Sequence, residues 1–111
     1  MKFILILFLS AVSCITVKNQ LPLVNAHAHN DYEHERPLFD AIENGFISVE
    51  ADVHLIHNEL YVSHFTPTII DESKTLEQLY LKPLDSIIKK NKGRIYKGYD
   101  GVFYLMIDIC M

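Results

Sequence analysis

Residues 47–55 read ISVEADVHL. Successive side chains of an extended chain point to opposite faces. Ile47, Val49, Ala51, Val53 and Leu55 therefore share one side, and Ser48, Glu50, Asp52 and His54 the other, so the stretch predicts a strand. Glu50 and Asp52 stand two apart on the polar side. Two such carboxylates repel each other and are costly to bury without a partner. A hard divalent cation relieves both problems, since Mg2+ and Ca2+ take oxygen ligands. A strand that simply shows its polar side to water has the same alternation, so spacing alone leaves both readings open.

Outward from this strand the chain alternates in type. Upstream, Leu23 to Ala28 is a short strand candidate and Asn30 to Arg36 is polar and turn-like. Pro37 suits the first turn of a helix carried by Leu38, Phe39, Ala41 and Ile42, and Asn44-Gly45 is its stop signal. Downstream, His57-Asn58-Glu59 reads as a turn and Leu60 to Val62 as a strand returning from it, with Ser63 to Pro67 leading into a loop. Ser73 or Thr75 can cap a helix whose apolar positions are Leu76, Leu79, Tyr80, Leu84, Ile87 and Ile88, with Pro83 expected to kink or split it. Asn91 to Gly101 is a loop with three glycines, and Val102 to Ile109 is the last strand. Internal repeats and low-complexity stretches are absent from the sequence. Strand, helix, strand, hairpin, helix, strand is the order of parallel βαβ units.

Parallel strands bring their C-terminal ends to one rim, where α/β proteins build their sites. His27, His29, Asn30 and Asp31 follow the first strand, Glu50 and Asp52 lie late in the second, and Asp108 lies late in the third. Asp108 is thus the expected third oxygen donor. His64 follows the short return strand; taken by itself it reads equally as a surface histidine, as do His34, His54 and His57.

The chain has 111 residues and a net charge of −4, which sets one domain as the ceiling and leaves no basic run for nucleic acid. Lys2 followed by the apolar run Phe3 to Leu9, with small residues at Ala11 and Ser13, reads as an export signal over Met1 to Cys14. Cleavage just before Cys14 with lipidation there is the alternative, so export leads to a secreted or periplasmic protein, or one lipid-anchored at the cell envelope. Membrane contact is expected only through this leader or anchor. Residues 1–20 are read as leader and short linker, and residues 21–111 as the folded domain. The other cysteine is Cys110, so no internal disulfide framework exists.

The stretch NAHAHNDYEHERPLFDAIENGFISVEADVHLIHNELYVSHF, residues 25–65, resembles the start of the glycerophosphodiester phosphodiesterase and phosphatidylinositol-phospholipase-C-like superfamily. The features that carry the likeness are His29 at the end of strand one, Phe39 on the following helix, Gly45, Glu50-Ala51-Asp52, His64 about a dozen residues on, and Asp108 in YLMIDI. The HNDY form beginning at His29 resembles bacterial and fungal members described as phospholipase-C-like. The match runs over roughly residues 23–110. It implies an α/β fold, the N-terminal portion (about three β/α units) of a TIM-type (β/α)8 barrel. It implies that Glu50, Asp52 and Asp108 hold one divalent cation, Mg2+ or Ca2+. It further implies His29 as general base and His64 as general acid on a small phosphodiester or phospholipid headgroup. Members of this kind commonly carry Arg after the first His; here Asn30 can donate a hydrogen bond to substrate but brings no charge. Many also carry Lys two residues after the last acid, where this chain has Cys110.

A full barrel typically takes ~250 residues, so this chain alone is expected to be inactive or very weak. Two other functions fit parts of the sequence. His27-Ala28-His29 is the His-x-His of amidohydrolase-like and PHP-type metal hydrolases. A non-catalytic exported binding protein is the other. The particular substrate is not legible in these residues.

Overall fold

The computed structural model describes residues 21–111. The export signal, the Cys14 alternative and most of the linker lie outside the described residues. Four strands form one sheet: β1 (Leu23–Ala28), β2 (Phe46–Ile56), β3 (Glu59–Val62) and β4 (Tyr104–Cys110). β2 is the hub. β4 runs parallel along one edge of it, from Ser48↔Tyr104 to His54↔Cys110. The other edge is shared: β1 pairs in parallel up to Ala28↔Val49, and β3 pairs antiparallel from Val53↔Val62 onward. Between them, residues 50–52 of β2 have no strand partner on that edge. This gap is where the site forms.

The alternation read in residues 47–55 is the alternation observed. Ile47, Val49, Ala51 and Val53 are buried, and Leu55, expected beside them, is 66 % exposed because β2 has by then run beyond the core. The hairpin after β2 turns on His57 and Asn58, both in the left-handed region (φ 49° and 65°), as a two-residue turn between right-twisted strands requires. The core gathers Ala28, Leu38, Ala41, Val49, Ala51, Val53, Val62, Leu76 and Tyr80. The fold is thus α/β, with a sheet dominated by parallel pairs.

Three local details depart from the sequence reading. Helix α1 (Phe39–Glu43) starts later than Pro37, because Leu38 takes φ 66° and ends the preceding turn. Gly45, at φ 84°, stops α1 as expected. The second helical run is split, as Pro83 foretold. A π-helical turn (Glu77–Leu81) precedes α2 (Lys82–Lys90), and Pro83 sits in the first turn of α2, where its missing N–H costs nothing. Of the two capping candidates, Thr75 is the one whose hydroxyl accepts an N–H, that of Gln78, at 3.2 Å. β4 begins at Tyr104 rather than Val102. Tyr96 fastens the 91–101 loop to the sheet by donating to the carbonyls of Phe46 and Ile42 at 2.6 and 3.0 Å.

Candidate functional site

β2 carries Glu50 and Asp52 on its polar face, in the stretch between β1 and β3. β4 brings Asp108 directly beside Asp52 in the register. Each of the three acids offers a carboxylate oxygen, and these oxygens lie within 4.8 Å of one another. Among the described residues this is the only group of three or more His, Cys, Asp or Glu side chains so placed. Asp52 is buried, Glu50 half-buried and Asp108 exposed.

Two loops deliver imidazoles to the same gap. His29 follows the last residue of β1, with Nε2 3.5 Å from Glu50 Oε2. The β2–β3 hairpin returns the chain to the level of Asp52: the Ser63 N–H donates to the Asp52 carbonyl at 3.1 Å. That return sets His64 beside the Asp52 side chain, with Nδ1 3.1 Å from Oδ2. A carboxylate only accepts, so Nδ1 carries the proton in this contact and Nε2 is left facing outward. Beyond it opens a cleft of 790 Å³ lined by Tyr32, His34, Tyr61, His64, Phe65 and Lys74 among others.

Tyr32, quoted in the HNDY motif but given no role from sequence, completes the network. It lies in the turn Asp31–Glu33 and donates its hydroxyl to Asp52 Oδ2 at 2.7 Å. Burial and the bond to Asp52 push its hydroxyl well above the ordinary tyrosine range, so it stays a donor. Burial alone would raise the Asp52 carboxyl. The hydrogen bonds from Tyr32 and His64, with the nearby His64 and His29, outweigh this and hold it below the usual carboxylate range. Asp52 is therefore an anion with two donors on one oxygen. The motif's tyrosine, immediately after the first acid of the turn, was the available signal.

The other sequence candidates fall as follows. Asn30 sits in the left-handed region (φ 49°, ψ 45°) at the start of the turn, which a short polar side chain tolerates. Asp31 leaves the site. Fully buried, its Oδ2 accepts the Leu38 N–H at 2.6 Å and the Tyr80 hydroxyl at 2.8 Å, so it ties the turn to α1 and to the π-helical turn. His54, read as an ordinary surface histidine, is 8 % exposed, and its Nε2 has no hydrogen-bond partner among the described residues. His27 faces Glu50 Oε2 at 3.7 Å but stands outside the acid group, so the His-x-His reading gains no geometry of its own.

A family model described as an AIM6-like phosphodiesterase domain matches residues 16–104. Relatives carry the name altered inheritance of mitochondria protein 6 or its homolog. The protein of Arthroderma benhamiae is 38% identical over 104 residues, covering 78% of this chain and 33% of that one. That of Kluyveromyces lactis is 45% identical over 71 residues, covering 62% and 17%. That of Lachancea thermotolerans is 39% identical over 100 residues, covering 86% and 23%. The chain thus spans a third or less of the length of these relatives. No solved structure matches it. The matched span contains β1, β2 and β3 with His29, Tyr32, Glu50, Asp52 and His64, and on that match the chain belongs to the AIM6-like phosphodiesterase domain family.

Proposed function

We propose that these residues are the catalytic core of a divalent-cation-dependent phosphodiester hydrolase, built on the first units of a (β/α)8 barrel. The observation that carries the reading is the convergence of three carboxylates from two parallel strands within 4.8 Å, flanked by His29 and His64. The barrel reading draws on the parallel order β1, β2, β4, in which consecutive parallel strands are neighbours in the sheet.

The donor set fits a hard cation. All three candidate ligands are carboxylates, oxygen donors whose mutual repulsion a hard cation would relieve. Glu50, Asp52 and Asp108 would hold Mg2+ or Ca2+, which when bound neutralises charge building on a phosphate. His29, exposed at the end of β1, accepts the proton of the attacking hydroxyl as the new P–O bond forms. His64, its Nδ1–H held by Asp52, acts as the imidazolium and gives its second proton, on Nε2, to the leaving alcohol oxygen as the old P–O bond breaks. Asn30 offers an amide donor beside His29. The cleft past His64 suits the alcohol portion of a glycerophosphodiester or phospholipid headgroup.

The leaving group tests the roles. With bis(p-nitrophenyl) phosphate the departing phenolate needs little protonation. With a glycerophosphodiester the departing alkoxide needs a full proton. Slow, Mg2+- or Ca2+-dependent release from both is expected. His29→Ala and Glu50→Gln should abolish both reactions, and His64→Ala should abolish only the second. Release that Glu50→Gln leaves unaffected would contradict the proposal.

A further inference from the structure

We propose that His27 is a positioning residue for Glu50, anchored by Ser48, and that this relay sets how tightly the acid group holds a divalent cation. The inference rests on reading Glu50, Asp52 and Asp108 as a cation site.

His27 is the last residue but one of β1, and its Cα partner in β2 is Ser48. The side chains meet as well: His27 Nδ1 and Ser48 Oγ are 2.8 Å apart. With Nδ1 engaged, Nε2 is the ring nitrogen directed at Glu50, 3.7 Å from Oε2. Glu50 stands two residues after Ser48 on the same strand face, so strand geometry alone places hydroxyl, imidazole and carboxylate in line.

The carboxylate needs such a neighbour. Oε2 is shut off from solvent and has no hydrogen-bond partner among the described residues, and a buried carboxylate oxygen without a donor is costly. Two nitrogens stand near it, both slightly beyond hydrogen-bond length: His27 Nε2 at 3.7 Å and His29 Nε2 at 3.5 Å. They differ in anchorage. The His29 side chain is 73 % exposed and lies past the end of the strand, whereas that of His27 is 36 % exposed, within β1 and bonded to Ser48. His27 is the one built to stay. When the Ser48 hydroxyl donates to Nδ1, the ring proton resides on Nε2, and a small closing of the gap converts the contact into an N–H donated to Oε2. The carboxylate is then clamped on one oxygen, with the other left for a cation. Ligating carboxylates are ordinarily oriented by such outer donors. His27 has no catalytic role here; it acts through Glu50.

Calorimetric titration of the 111-residue chain with Mn2+, an oxygen-binding divalent probe, reads this directly. His27→Ala is expected to weaken Mn2+ binding roughly 10-fold or more, the range typical of lost outer partners. His27→Asn, which keeps an N–H, should recover most of the loss. Ser48→Ala, a deletion of one hydroxyl that spares the fold, should give a smaller loss. The double variant His27→Ala/Ser48→Ala should be no worse than His27→Ala, because Ser48 acts only through the imidazole. Mn2+ binding unchanged in both His27→Ala and Ser48→Ala but lost in Glu50→Gln would overturn the relay and leave the cation site standing. Additive losses, or no recovery with Asn, would overturn it too. Binding retained in Glu50→Gln would instead sink the cation reading beneath it.

Discussion

Two buried aspartates in this domain are built alike and set in different surroundings. Asp31 and Asp52 are 0 % and 5 % exposed, and each accepts a tyrosine hydroxyl on Oδ2, from Tyr80 and from Tyr32. Their second donors differ. Asp31 takes the backbone N–H of Leu38, a residue held at φ 66° with its side chain in the core. Asp52 takes an imidazole that borders an open cleft, and it stands beside two further carboxylates. A backbone donor cannot leave, so Asp31 locks three elements together. An imidazole at the cleft can exchange its proton, and a carboxylate among carboxylates invites a cation. Burial and a tyrosine partner therefore do not by themselves tell the two acids apart; the second donor and the charge of the neighbours do.

The sharpest way to break this comparison is to exchange losses of stability for losses of binding. Asp31→Ala leaves two buried donors unpaired and is expected to cost roughly 3–4 kcal/mol in denaturant unfolding. Asp52→Asn should shift stability by less than about 1 kcal/mol, since it also relieves repulsion among the acids, yet weaken Mn2+ binding by more than the ~10–100-fold typical of outer partners. If both variants lose stability equally, the two acids are both architectural. Tyr80→Phe should cost about 1–2 kcal/mol, and Tyr32→Phe about 1 kcal/mol or less with a few-fold loss of Mn2+ affinity; the reverse order would mean that Tyr32, not Tyr80, carries the structural load. The smallest effect is in acid. The folded Asp52 carboxyl is depressed below its unfolded value, so its contribution is complete above the ordinary carboxylate range and is lost as pH falls through the depressed value. Melting temperature of the parent chain should therefore drop more steeply than that of Asp52→Asn below about pH 4.

Much of the frame is legible in residues 47–55, because a period of two leaves little choice of face: Val49, Ala51 and Val53 are fully buried as the alternation demands. The nearness of Glu50, Asp52 and Asp108 follows from the same period and from chain direction, since parallel strands align their late residues. What sequence could not separate was Asp31 from its neighbours in HNDY. Its burial depends on Tyr80, 49 residues away, and long-range partners leave no local pattern. His54 shows the same limit from the other side. It lies on the polar face of β2, and it is buried because β3 and β4 flank that part of the strand. The Leu38 backbone was equally unreadable: Pro37 favours a helix start, but the bond to Asp31 holds the next residue outside helical space.

The central claim is that oxygens from β2 and β4 share one cation. Asp108 is the ligand to remove, because it is exposed and its loss should leave the fold intact. Titration of the chain with Mn2+ should show one tight site, abolished in Asp108→Asn with an unchanged melting temperature in the absence of metal. One-site binding of equal affinity in Asp108→Asn would contradict the account.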